Sequence, residues 1–223
     1  MDERRTSLRV RLSNARVMVL FTPELCPPGR SPEETLERLV PCVDAIQVRV
    51  KTADGQSPAG PLHTWTERVL EIVRASPHDP LVLVNDRVDV ALALLESGLA
   101  GVHLGTEDMS PEKSRELLGD AALIGLSTHT TGQVAAAQER PLDYIGFGPI
   151  FPTQTKGYEK GLGPEPAWIA SQASLVPLFA IGGIGLDNVA QLGEVGRIAV
   201  SSALLSAEDP ARSARGLREA LNH

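Results

Sequence analysis

Thr153, Thr155 and Lys156 bring two hydroxyls and an ammonium together in the stretch Gly148-Pro149-Ile150-Phe151-Pro152-Thr153-Gln154-Thr155-Lys156. Hydroxyls donate hydrogen bonds and lysine is a compact cation, a set suited to phosphate. Proline fixes φ, so Pro149 and Pro152 stiffen the segment. It follows the apolar run Tyr144-Ile145-Gly146-Phe147, as a loop leaving the end of a strand would. Alone, it reads equally well as a phosphate-holding loop or as a surface turn.

Gln47, Arg49 and Lys51 alternate, so they share one face of an extended chain. A polar face inside a fold is costly unless a charged ligand meets it. Arginine offers a phosphate two donors and lysine adds a point charge. The plain alternative is a strand end fraying into solvent. Asp86 and Asp108 close two neighbouring apolar runs, and paired carboxylates beside a diphosphate suit Mg²⁺. Asn85 or Asp86 would also suit the cap of a following helix, and Asp108 a turn before Ser110. Gly182-Gly183 and Ser201-Ser202 follow the last two apolar runs. There, glycine backbone and a helix N-terminus can approach an anion; a left-handed turn with no ligand is the alternative. His129 suits either acid–base work or a hydrogen-bonded strand end, whereas His103, inside an apolar run, reads as structural. No P-loop, GxSxG or HExxH pattern occurs. Two anion sites, one divalent-metal site and no nucleophile suit two phosphorylated substrates joined with loss of pyrophosphate.

These residues need elements to position them. Apolar runs at Val17–Phe21, Ala45–Arg49, Leu81–Val84, Gly101–Leu104, Leu123–Leu126, Tyr144–Phe147, Leu178–Ile181 and Ile198–Val200 alternate with helix-length segments. Several are continuously apolar, as parallel strands buried on both faces should be. Ser31-Pro32-Glu33-Glu34 and Thr64-Trp65-Thr66-Glu67 read as helix-opening capping boxes, and Ser110-Pro111 opens another helix. The rhythm predicts a single (β/α)₈ TIM barrel over 17–223, with a doubly wound open sheet as runner-up. Residues 1–16 read as a basic leader, partly disordered. Every candidate site residue falls at or just after the end of an expected strand, where such barrels gather their function.

The chain has 223 residues, 42% of them hydrophobic, and a formal net charge of −7. That acidity argues against a general nucleic-acid binder, so an anion site must be local. No apolar run is long enough to span a membrane. Cys26 and Cys42 form no metal-type pattern and read as free thiols of a cytoplasmic protein. A homodimer is among the assemblies open to it.

Six stretches together resemble thiamine-phosphate synthase: Gln47-Val-Arg-Val-Lys51, Asn85-Asp86-Arg87, Gly101-Val-His-Leu-Gly-Thr-Glu-Asp108, Gly125-Leu-Ser-Thr-His-Thr130, Gly146-Phe-Gly-Pro-Ile-Phe-Pro-Thr-Gln-Thr-Lys156 and Ala180-Ile-Gly-Gly-Ile184. The resemblance runs from about Phe21 to Ala203. It implies a (β/α)₈ barrel that couples hydroxymethylpyrimidine diphosphate to thiazole phosphate, giving thiamine phosphate and pyrophosphate. It implies that Gln47, Arg49, Lys51, Asn85, Ser127 and Lys156 hold the pyrimidine diphosphate, with Arg49, Lys51, Ser127 and Lys156 as the catalytic members. It implies Mg²⁺ on Asp86 and Asp108, and the thiazole phosphate on Thr153, Gln154, Thr155, Gly183, Ser201 and Ser202. In the family, pyrophosphate departs first and the thiazole nitrogen attacks a pyrimidine cation, which accounts for the missing nucleophile. Thr106 departs from the family's usual Gln, Val50 from an acidic residue and Ser201 from an apolar one. The opening Met18-Val-Leu-Phe-Thr-Pro23 is also looser than the family's first strand. A thiazole tautomerase of the same superfamily, with His129 as acid–base, and a non-catalytic thiamine-phosphate-binding barrel are the alternatives.

Overall fold

The computed structural model describes residues 3–52, 56–153 and 160–221. Eight parallel strands form one closed barrel in sequence order: β1 (Val17–Phe21), β2 (Ala45–Val48), β3 (Leu81–Asn85), β4 (Gly101–Leu104), β5 (Leu123–Thr128), β6 (Tyr144–Phe147), β7 (Leu178–Ile181) and β8 (Ile198–Val200). The last strand pairs with the first, Val19 opposite Val200. The expected barrel is therefore present and the open sheet is not.

Alternation splits the core in two. Val17, Val19, Phe21, Ile46, Val82 and Val102 face outward into the layer shared with the helices. Met18, Ala45, Leu83, Leu123, Tyr144 and Phe179 face inward and fill the barrel. Burial on both sides explains why these strands read as unbroken apolar runs.

Helices α2 (Pro32–Leu39), α4 (Val88–Leu94), α5 (Pro111–Leu118), α6 (Thr131–Ala137), α7 (Pro164–Ala173), α8 (Ser202–Leu205) and α9 (Pro210–Ala220) surround the strands together with α3 (Ala59–Ala75). Ser31 caps α2 by accepting from Glu34 N–H at 3.0 Å, and Ser110 caps α5 through Lys113 N–H at 3.3 Å. The Thr64 box is a correction: α3 already begins at Ala59, so Thr64 lies within it. Pro61 is tolerated because proline suits a helix's first turn. Between β7 and β8 the helix-length segment is a 3₁₀ stretch, Val189–Val195, broken at Gly193, whose φ is 49°.

Residues 1–16 carry helix α1 (Glu3–Asn14). Its Leu8 and Leu12, with Ala15, are buried in the same cluster as the barrel-filling side chains. Arg4 donates to the carbonyls of Leu95 and Leu99 at 2.7 and 3.0 Å. Arg9 and Arg115 both reach Asp143, whose side chain is 1% exposed, at 2.5 Å each. The Ile124 N–H also donates to that carboxylate at 2.9 Å. Removing one member of a buried ion pair strands the others. Asp143→Asn is therefore expected to cost about 3 kcal/mol, seen as a drop of roughly 10 °C in thermal midpoint by circular dichroism.

Candidate active site

All the strand ends converge on the barrel's C-terminal mouth, and the inward-facing positions there turn polar. Gln47 on β2 is 3% exposed. Its amide nitrogen lies 3.8 Å from Met18 Sδ, and its side chain hydrogen-bonds Tyr144. The Tyr144 hydroxyl meets His103 Nδ1 at 3.0 Å, and His103 Nε2 meets Ser127 Oγ at 2.9 Å. A hydrogen-bonded chain thus crosses the interior from β2 through β6 and β4 to β5. Two glycines make room for it. A Cβ on Gly125 would lie 2.1 Å from Tyr144 Cζ, and one on Gly146 would lie 3.2 Å from His103 Cε1. Burial pushes the Tyr144 phenol well above its usual pKa, the Gln47 bond opposing this only in part. The chain therefore stays uncharged at that point and fixes the Ser127 hydroxyl and the Gln47 amide in place. His103 is structural as expected, yet it directly holds an expected substrate ligand, Ser127. Tyr144 was not singled out in the sequence, because on its own it reads only as a strand residue.

Arg49 follows β2, and its backbone N–H donates to the Phe21 carbonyl at 2.8 Å. Its Nη1 is buried with no hydrogen-bond partner among the described residues. An unmet buried donor costs free energy that an incoming anion returns. Lys51 lies beyond it on exposed coil.

Asn85 ends β3, and Asp86 adopts a φ of 64°. This left-handed backbone costs most residues about 1 kcal/mol and is commonest at strained functional positions. The Asp86 N–H donates to the His103 carbonyl at 2.7 Å, which ties β3's exit to β4. Neither Asn85 nor Asp86 is the N-cap of α4; that position is Arg87, which pairs with Asp89 through two bonds of 2.8 and 2.5 Å. Asp108 is exposed in the β4 loop, where its Oδ2 accepts the Gly105 N–H at 2.7 Å. That bond sets the plane of the carboxylate. Among the described residues no group of three or more His, Cys, Asp or Glu side chains gathers to hold a metal ion. Two hard carboxylate oxygens fit Mg²⁺ nonetheless, since this ion usually takes one or two carboxylates and fills its shell with water and substrate phosphate.

The β6 and β7 exits are built together. Ile150 and Phe151 N–H groups donate to the Ile181 and Gly182 carbonyls at 2.9 and 3.0 Å, extending the ladder past both strands. Gly182 and Gly183 have φ of 97° and 65°. A Cβ at Gly183 would sit 2.4 Å from the Pro152 carbonyl oxygen, so only glycine fits. Asn188 locks this turn, accepting from Gly185 N–H at 2.9 Å and donating to the Gly183 carbonyl at 2.8 Å. It was missed in the sequence, where it belongs to the helix-length segment between two expected strands. His129 Nδ1–H donates to the Gly148 carbonyl at 2.6 Å and so braces the start of the same loop from β5. Thr153 is described; Gln154, Thr155 and Lys156 lie outside the described residues. At β8, Ser201 donates its hydroxyl hydrogen to the Leu20 carbonyl at 3.0 Å, leaving Ser202, first residue of α8, as the exposed hydroxyl.

A family model described as thiamine monophosphate synthase matches residues 17–204. The chain is 38% identical over 213 residues to the thiamine-phosphate synthase of Thermus thermophilus, covering 92% of this chain and 97% of that protein. It is 44% identical over 146 residues to a thiamine-phosphate synthase of Synechococcus, a match that covers 65% of this chain but 40% of that relative's length. The thiamine phosphate pyrophosphorylase structure from Pyrococcus furiosus superposes with a TM-score of 0.78 at 30% identity, covering 96% of this chain and 98% of that one. No helix among the described residues is long and apolar enough to cross a membrane.

Proposed function

The chain belongs to the thiamine monophosphate synthase family, and on that premise we propose that it joins a pyrimidine diphosphate to a thiazole phosphate, giving thiamine phosphate and pyrophosphate. The observation that carries this reading is the inward face of β2, where a buried Gln47 is held by Tyr144 and a buried Nη1 of Arg49, unpartnered among the described residues, stands above it. An aromatic heterocycle with a diphosphate tail satisfies both, the ring against Gln47 and the tail against the guanidinium.

The protein's part in such a substitution is to neutralise the leaving group and align the partners. Arg49, Lys51 and Lys156 supply positive charge to the departing diphosphate. Ser127, oriented by His103, donates to the same substrate, and Asn85 adds an amide at the next strand end. Asp86 and Asp108 would hold Mg²⁺, which supplies charge neutralisation at the diphosphate when bound. Thr153, Gln154, Thr155, Gly183, Ser201 and Ser202 receive the thiazole phosphate, Ser201 through its backbone rather than its committed hydroxyl hydrogen. No side chain need become a covalent nucleophile. His129 braces the loop in this scheme and needs no proton transfer. The free thiols Cys26 and Cys42 suit a reducing cytoplasm.

The test is direct. The protein, both substrates and Mg²⁺ are incubated together, and thiamine phosphate and pyrophosphate are followed as they form in equal amounts. Product that accumulates only with both substrates supports the reading. Absence of product under saturating substrates and metal, from a folded sample, sinks it.

A further inference from the structure

We propose that Thr22, at the exit of β1, is a diphosphate-positioning residue that works beside Arg49, and this inference rests on the function proposed above. Thr22 is 1% exposed, and its Oγ1 has no hydrogen-bond partner among the described residues. It keeps extended backbone, with φ of −126° and ψ of 102°, and makes no cap bond to the short 3₁₀ turn Pro23–Leu25 that follows. Extended alternation from Met18 and Leu20 turns its side chain to the barrel interior.

Its neighbours define what it faces. Phe21 pairs with Val48 across β1 and β2, so Thr22 stands level with Arg49. On the other side β8 is in register, and Ser201 donates to the Leu20 carbonyl. Thr22 therefore sits between the guanidinium assigned to the diphosphate and the β8 exit assigned to the thiazole phosphate. The unmet atoms fall into two kinds. Arg115 and Arg197 each lack a partner at Nε among the described residues, but Arg115 is bonded to protein oxygens through Nη1 and Nη2 and Arg197 through Nη2. Thr22 Oγ1 and Arg49 Nη1 instead belong to residues that stand level on the neighbouring exits of β1 and β2, at the mouth. Buried polar groups are nearly always paired, and exceptions on neighbouring exits ask for one shared partner. A hydroxyl hydrogen and a guanidinium hydrogen both donate, so the shared partner is an acceptor. An oxygen of the diphosphate is the acceptor that the site is otherwise built to receive.

Thr22→Val removes the hydroxyl at nearly constant shape, and Thr22→Ser keeps it. Two measurements separate the roles. Calorimetric titration with inorganic pyrophosphate in Mg²⁺ is expected to show Thr22→Val binding about tenfold more weakly than wild type, and Thr22→Ser binding within about twofold. Steady-state kinetics is expected to show KM for the pyrimidine diphosphate rising about tenfold in Thr22→Val with KM for the thiazole phosphate unchanged. The thermal midpoint of the free Thr22→Val protein should equal or exceed that of wild type, because an unmet hydroxyl has been deleted. If wild type binds pyrophosphate and Thr22→Val binds it equally well, Thr22 has no such role while the function stands. Equal loss in Thr22→Val and Thr22→Ser would assign the effect to packing and also overturn the proposal. If wild type itself does not bind pyrophosphate, the proposed function fails, and the role of Thr22 fails with it.

Discussion

Asp86→Asn is expected to lower kcat/KM for thiamine phosphate formation by about a thousandfold, close to 4 kcal/mol of transition-state stabilisation, and to leave the barrel folded. The substitution suits the site because asparagine tolerates left-handed backbone as well as aspartate does. The φ of 64° and the N–H bond to the His103 carbonyl are therefore preserved. What changes is one negative charge and one hard oxygen. The loss should be steepest at limiting Mg²⁺ and only partly recovered when the metal is raised. Alanine is a poorer probe here, because it adds backbone strain to the lost charge. Rates measured across a Mg²⁺ series, with circular dichroism as the folding control, decide the matter. A variant that matches wild type at every metal concentration would remove Asp86 from the metal site.

The second large effect is expected at Arg49. Arg49→Met keeps the apolar stem and removes the guanidinium, and kcat/KM should fall about a hundredfold to a thousandfold. The free protein should lose no stability and can gain some, since Nη1 is buried without a partner among the described residues and its deletion removes an unmet donor. A group kept for ligand is expected to show this opposition between stability and activity. Arg49→Lys should fall between the two, because one ammonium does not reproduce a two-pronged donor. Parallel measurement of thermal midpoint and turnover is the check. A marked fall in both would mean that Arg49 mainly holds the barrel together.

The strands are legible in the sequence for a physical reason: burial on both faces leaves unbroken runs such as Leu81-Val82-Leu83-Val84. Capping serines are equally plain, because Ser31 and Ser110 meet a proline at the next position. The start of α3 is hidden by Gly60 and Pro61, which usually break helices but do little harm in a first turn. The polar chain from Gln47 to Ser127 is hidden more deeply. Which inward residues meet depends on how far each strand is staggered against the next, and no local pattern carries that stagger. The glycine signal is present at Gly125 and Gly146, yet it names no partner until the Tyr144 and His103 rings are seen against them. Thr22 is disguised in the same way: a threonine before a proline reads as a turn. Only its burial and its place beside Arg49 separate it from one.

Helix α1 has a consequence for how the molecule comes together. It precedes every strand, but Arg9 finds Asp143 134 residues later in the chain and Arg4 finds Leu95 91 residues later. During synthesis the helix must wait, unseated, until β3 to β6 exist to receive Leu8 and Leu12. Contacts so distant along the chain form late and slow the final closure. The inner core thus stays open at its base through most of assembly, and a helix that precedes every strand acts as its last stopper.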